Sequence, residues 1–254
     1  GGTVNTLYGG YSLKGDATHN TVTIEKPASA AGTLTVEGDV YGAKVMGKGK
    51  AEGNKVKIGG AAVIGELHPT GHPNHPYNPT SGSVIGGQSE GGDVRSNEVT
   101  IENDGEIGKF VYGGLTTGDG KAEGNTVKIT KGTVIGTLQQ GTGGSVWGGR
   151  SVDGAVKNNT VEISGGRLTA DPPNVPPVTS PGAPHGTYID SYVYGGLATG
   201  DGAVEGNKVT VTGGTVHSEI FGGRSVNGAV KNNVVKISGA AEETSVAAVS
   251  GGKA

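Results

Sequence analysis

One pattern, Ala/Val-x-x-Asn-x-Val-x-Ile/Val, recurs seven times along the chain, with the asparagine at Asn20, Asn54, Asn97, Asn125, Asn159, Asn207 and Asn233. Repetition on this scale is the signature of solenoids, propellers and arrays, in which one small unit buries its apolar face only by stacking on the next. Within the motif the Asn, Val and Ile share parity, so on an extended strand they face the same side. The residues between them (Thr21 and Thr23, Lys55 and Lys57, Thr126 and Lys128, Lys208 and Thr210) are polar or β-branched and suit solvent. That alternation predicts a half-buried strand and not a helix.

A second signature, aliphatic-aromatic-Gly-Gly, precedes each Asn: Leu7-Tyr8-Gly9-Gly10, Val111-Tyr112-Gly113-Gly114, Val146-Trp147-Gly148-Gly149, Val193-Tyr194-Gly195-Gly196 and Ile220-Phe221-Gly222-Gly223, with Val40-Tyr41-Gly42 and Val84-Ile85-Gly86-Gly87 as variants. The aromatic position lies 12 or 13 residues before the Asn, and the two spacings alternate, which makes a pair of rungs the unit of duplication. A third short strand follows the Ile, as in Gly32-Thr33-Leu34, Gly132-Thr133-Val134, Gly166-Arg167-Leu168 and Gly214-Thr215-Val216. Three short strands with tight glycine corners make one coil of a parallel β-helix. The expectation is an all-β, right-handed parallel β-helix (a β-solenoid) of about seven three-strand rungs. It is expected to occupy residues 1–254 as a single domain, a segment of a longer protein.

Composition agrees with a narrow core built coil by coil. The chain has 52 Gly, two Phe, one Trp and 32% hydrophobic residues, yet a net charge of only −3, which argues against simple disorder. A sequence pI near 6.1 gives no basic field for nucleic acid. The absence of cysteine excludes disulfides and thiolate metal sites. No apolar run is long enough for a membrane helix, so this segment is not expected to insert in a membrane.

The asparagines, on the buried parity, are expected to stack as a structural ladder, each amide donating to one neighbour and accepting from the other. The alternative is that each Asn only occupies a left-handed turn. The aromatic column is either an exposed platform for sugars or a covered corner that stabilises the rungs. Long insertions, 64–83, 135–145 and 169–192, all read as growing from one corner, between the third strand and the next aromatic. That corner makes one edge of the rod a candidate binding edge, with Tyr77, Tyr188 and Tyr192 as contact residues. His68, His72 and His75 are weak metal candidates, since each is followed by proline and no carboxylate or cysteine accompanies them. Nothing in the sequence calls for a cofactor. Glycan-degrading β-helices need convergent carboxylates. Here Asp16, Asp93, Asp119, Asp153 and Asp201 recur in turns, so an enzyme is not expected.

The rungs of the type Val-Tyr-Gly-Gly…Ala-x-x-Asn-x-Val-x-Ile-x-Gly-Gly-Thr-Val, clearest at 111–134 and 193–216, resemble the passenger repeats of bacterial autotransporter adhesins. The resemblance implies a β-helical rod at the bacterial cell surface, anchored in the outer membrane through other parts of its parent chain. Its partner would be a receptor, protein or glycan, on a host or bacterial cell. A structural filament, formed by end-to-end self-association of such rods, is the alternative from a different class.

Overall fold

The computed structural model describes residues 2–25, 34–60, 62–65, 82–103, 105–130, 133–136, 144–165, 188–189, 192–239 and 244–250. Among these every regular element is a β-strand, and every pairing is parallel. The strands stack coil on coil in four columns. Each coil opens on a lead strand (Leu34–Val36, Ala62–Ile64 or Glu106–Ile107). An aromatic strand follows (Val40–Val45, Val84–Ser89 or Val111–Thr116). Then comes a two-residue bridge strand (Ala51–Glu52, Val94–Arg95 or Ala122–Glu123). The coil closes with a valine strand (Lys55–Gly60, Glu98–Asn103 or Thr126–Ile129). This is a parallel β-helix of seven coils. The bridge strand is the addition to the three strands read from the sequence; two residues are too short to carry a periodic signal.

Register follows the sequence motif. Val22, Val56, Val99, Val127, Val161, Val209 and Val235 lie opposite one another from coil to coil. They and the following Ile or Val positions, apart from the exposed Ile237 of the last coil, form the main core with Val40, Val84, Val111, Val146, Val193 and Ile220 from the aromatic strands and Val36, Ile64, Ile107 and Ile135 from the lead strands. A second core of small residues, among them Ala17, Ala51, Val94, Ala122, Val156 and Val204, fills the bridge side. A one-residue slip would turn each of these columns out to water, so burial pins the register. Beyond the seventh coil, Thr244–Ser250 pairs in parallel with Lys208–Ser225 and lays an eighth layer on the lead and aromatic columns.

Two of the four corners never vary by more than a residue. The turn from aromatic to bridge strand has four or five residues, in alternation, and the turn from bridge to valine strand always has two. The alternation has a local cause. In the shorter coils the aromatic strand ends on Ser89, Ser151 or Ser225. Ser89 Oγ donates to the Gly49 carbonyl of the preceding coil (2.8 Å) and accepts the Gly92 N–H (2.8 Å). Ser151 and Ser225 repeat the arrangement. In the longer coils the same position holds Val45, Thr116 or Ala198, which offers no such paired bridge, and the turn takes an extra residue.

All longer connections lie at the two corners that flank the lead strand. Residues 65–83 and 136–145 separate lead from aromatic strands. Residues 26–33 and 165–187 separate valine from lead strands. This corrects the expectation that the third insertion shares the corner of the other two. Tyr188–Ile189 pairs with Val134–Ile135 and with Thr215 and Val216, so it is the lead strand of its coil, and residues 169–187 precede that strand. Gly186-Thr187-Tyr188-Ile189 copies Gly132-Thr133-Val134-Ile135 more closely than Gly166-Arg167-Leu168 does, and pairing follows the better copy. Where an insertion begins and ends, glycines let the chain pinch shut. A methyl at Gly82 would fall 2.7 Å from the Gly65 Cα, and both residues hold positive φ, 104° and 114°. The helical path therefore continues past the insertion undisturbed.

Candidate functional site

The asparagine column is built from two constraints that meet at one place. The residue before each Asn is left-handed: His19, Ser96, Asn158 and Asn232 at φ 52–58°, Gly53, Gly124 and Gly206 at φ 64–67°. That turn swings the Asn side chain inward, and the seven asparagines themselves are not the left-handed residues, which disposes of the turn alternative. The amide then lies against the second glycine of the aromatic strand. A methyl at Gly87, Gly114 or Gly149 would fall 2.6 Å from the amide of Asn97, Asn125 or Asn159. The first glycine has another reason: a methyl at Gly86, Gly113 or Gly148 would meet the carbonyl oxygen of the next coil at 2.5 Å. Ala43 replaces the second glycine in one coil, where the preceding bridge residue is the small Ala17 and the methyl joins the small-residue core.

Each Asn Nδ2 donates to the Oδ1 of the next coil: Asn20 to Asn54 (2.8 Å), Asn54 to Asn97, Asn97 to Asn125, Asn125 to Asn159, Asn159 to Asn207 and Asn207 to Asn233 (all 2.9 Å). The backbone N–H of each donates to the same Oδ1, as in Asn97 to Asn125 at 3.1 Å. The second Nδ2 hydrogen reaches back to a bridge-strand carbonyl, as in Asn125 to Val94 at 3.0 Å. Asn54, Asn97, Asn125, Asn159 and Asn207 are fully buried with these bonds made, so the column is a structural element and offers nothing to a ligand.

The aromatic column is outward-facing yet covered. Tyr41, Ile85, Tyr112, Trp147, Tyr194 and Phe221 are each no more than 7% exposed and form a cluster of their own with Phe110, Leu115 and Leu197. The rings stack on one another: Tyr8 on Tyr41 at 5.0 Å, Tyr112 on Trp147 at 4.5 Å, Trp147 on Tyr194 at 5.9 Å and Tyr194 on Phe221 at 5.0 Å, all within 7° of parallel. Faces used up on neighbouring rings are not free for sugars; Tyr8, 43% exposed, is the exception. Burial is also the main reason the hydroxyls of Tyr41, Tyr112 and Tyr194 titrate above their ordinary range. For Tyr41 the Asp39 carboxylate, 2.9 Å from its hydroxyl, adds to the effect. The other oxygen of Asp39 accepts the N–H groups of Gly82 and Ser83, so this carboxylate fastens the point where the chain returns from its first insertion.

Of the candidate contact residues, the structure describes Tyr192 and the backbone of Tyr188. Tyr77 and the weak metal candidates His68, His72 and His75 lie outside the described residues. Tyr188 is a lead-strand residue, not an insertion residue. Tyr192 is 37% exposed and leans on Tyr194 and Phe221, with centroids at 5.8 and 6.4 Å. Beside it the lead sheet forms a floor, and the long connections leave and rejoin the described chain at its two edges. Its described outward column includes Thr35, Val63 and Glu106, which lie opposite one another from coil to coil. Among the described residues Glu106 is the carboxyl group on that floor, and burial raises its pKa. The sequence carried a signal for this face, since every change of rung length by more than one residue falls beside the lead strand; the misplaced third strand hid half of it.

Turn carboxylates are committed to joining coils. Asp16 accepts the Lys50 N–H and Asp93 the Lys121 N–H, both at 2.8 Å, and Asp201 accepts the Asn227 side chain at 2.9 Å. Among the described residues no three His, Asp or Glu side chains gather as a metal site, and no helix is long and apolar enough to cross a membrane. Fold and site define the chain as a parallel β-helical repeat protein with one insertion-flanked face. No protein-family model, curated protein or solved structure matches it.

Proposed function

We propose that this chain is a non-catalytic segment of an extracellular rod at a bacterial cell surface, which presents its insertion-flanked face for attachment to host or other cells. The observation that carries the reading is the confinement of every long connection to the two edges of the lead sheet, while the other two corners vary by no more than one residue through seven coils. Neutral drift would let any solvent-exposed corner lengthen; restriction to one face is what a rod with a binding side needs. The use of turn carboxylates as coil-to-coil links fits a scaffold better than a hydrolase.

The test is adhesion of the purified chain to epithelial cells beside a variant in which 66–81 and 166–187 are replaced by tight turns. Loss of adhesion with an unchanged melting curve supports the reading. Equal adhesion by both forms, or none by either, refutes it.

Stacking of coil on coil into filaments is the second reading. It is favoured by the gathering of exposed large apolar side chains in the first coil (Val4, Tyr8, Tyr11, Leu13) and the last (Val226, Val234, Ile237). Electron micrographs separate the two: long fibres support stacking, and short monodisperse rods remove it.

A further inference from the structure

Several cations on this rod sit in ion pairs, while those of one column rest on aromatic rings instead. Along the bridge strands the outward column reads Glu52, Arg95, Glu123, Lys157, Glu205, Lys231, alternating in sign at every coil. Its members pair: Arg95 with Asp93 at 2.7 Å, Lys157 with Glu205 at 3.2 Å and Lys231 with Glu205 at 3.3 Å. On the valine strands Lys57 sits 3.1 Å from Glu25, and Lys128 sits 3.7 Å from Glu98.

The outward column near the end of the aromatic strands is different. It reads Tyr11, Lys44, Gln88, Leu115, Arg150, Leu197, Arg224, with positive charges only. Among the described residues no carboxylate pairs with Lys44, Arg150 or Arg224. The two guanidinium groups lie over Trp147 and Phe221, 6.0 and 5.8 Å from the ring centroids, and the Lys44 ammonium lies 4.8 Å from the Tyr41 centroid. Arg224 also donates to the Tyr194 hydroxyl at 3.4 Å, and Arg150 stands beside the Tyr112 hydroxyl. Ring contacts hold these cations in place without cancelling their charge, which pre-organises them for an external anion.

We infer that the Arg150–Leu197–Arg224 part of this stripe is a binding site for an acidic polysaccharide in which charged and neutral sugars alternate, lying along the rod axis. Spacing chooses the polymer. Arg150 and Arg224 are two coils apart, roughly 9.6 Å at the strand spacing of parallel sheets, with Leu197 between them. An extended pyranose chain advances by about one coil height per sugar, so every second sugar meets an arginine and the intervening one a leucine. An extended peptide presents side chains on one face only every second residue, roughly 6.6 Å apart, and falls out of step with the arginines. Arginine supplies the bidentate fork that carboxylates and sulfates accept. The inference deepens the recognition reading by naming a ligand class, and it places that ligand on the face next to the insertions.

The experiment titrates the whole chain with hyaluronan and chondroitin sulfate, with dextran as the neutral control and polyglutamate as the acidic-peptide control. Expected are binding of the two acidic glycans but not dextran, weakening with added NaCl, and a loss of at least about tenfold in each of Arg150→Gln and Arg224→Gln. The melting temperatures of both variants should match the parent. A double variant that binds as tightly as the parent overturns the inference, as does preference for polyglutamate or binding of no acidic glycan. The variant lacking 66–81 and 166–187 separates this site from the insertions. Retained glycan binding with lost cell adhesion supports the stripe, and loss of glycan binding there overturns it.

Discussion

Replacing Asn125 by alanine is the sharpest probe of what holds the coils together. The Asn125 Oδ1 accepts both the Asn97 N–H (3.1 Å) and the Asn97 Nδ2–H (2.9 Å), and its Nδ2 donates to the Val94 carbonyl (3.0 Å) and the Asn159 Oδ1 (2.9 Å). Alanine leaves three buried groups without these partners: two donors on Asn97 and the Val94 carbonyl. The Asn159 Oδ1 keeps the Asn125 backbone N–H at 2.9 Å. At about 1–3 kcal/mol for each orphaned group, and with losses in one network adding incompletely, the expected destabilisation is about 3–6 kcal/mol. Lys128→Ala removes an exposed side chain 3.7 Å from Glu98 and should cost no more than about 0.5 kcal/mol. Asn20→Ala lies between, since Asn20 is half-buried and accepts from no other asparagine among the described residues. Urea unfolding followed by circular dichroism, compared at constant m-value, measures all three. Asn125→Ala within 1 kcal/mol of Lys128→Ala would refute the claim that the amide column, and not the apolar columns alone, stabilises the stack.

Two further perturbations follow from local geometry. Gly124 and Ser96 occupy the same left-handed position at φ 64° and 52°, so Gly124→Ala should cost about 1–2 kcal/mol while Ser96→Gly should be neutral or stabilising; denaturation midpoints moving in the same direction would contradict this. Glu106 binds its proton more tightly folded than unfolded because burial disfavours its charge. Its contribution is therefore complete at pH below the ordinary carboxylate range and is lost as pH rises through the folded value. Glu106→Gln should raise the melting temperature at pH 7 and flatten the fall in stability above the ordinary carboxylate range, and a steeper pH dependence in the variant would contradict the assignment.

Parity made the valine and asparagine columns legible, because identical residues at fixed intervals leave a solenoid few other registers. The fourth strand was not legible, since Ala51–Glu52 and its counterparts are too short to show a period. The alternating 12- and 13-residue spacing was visible as a number, but its cause lies in the carbonyls that Ser89, Ser151 and Ser225 reach in the preceding coil. The third insertion was placed at the wrong corner because Gly166-Arg167-Leu168 mimics a lead strand locally, and only pairing with the coils on either side decides between two local copies. The cationic stripe escaped notice for a related reason: Lys44, Arg150 and Arg224 are far apart in sequence and adjacent to nothing of like charge. They become one surface when coil height replaces sequence distance as the measure of separation.

The six amide-to-amide bonds all point the same way, donor toward the later coil. Aligned amide dipoles add along an axis, as they do in a helix, so the rod has an electrical head and tail, positive toward the later coils. A finished coil presents two N–H groups, side chain and backbone, to whatever strand arrives next in sequence, and a single oxygen to its predecessor. The two ends of the stack are thereby chemically unlike: the later end turns a donor pair outward, and the earlier end a lone acceptor.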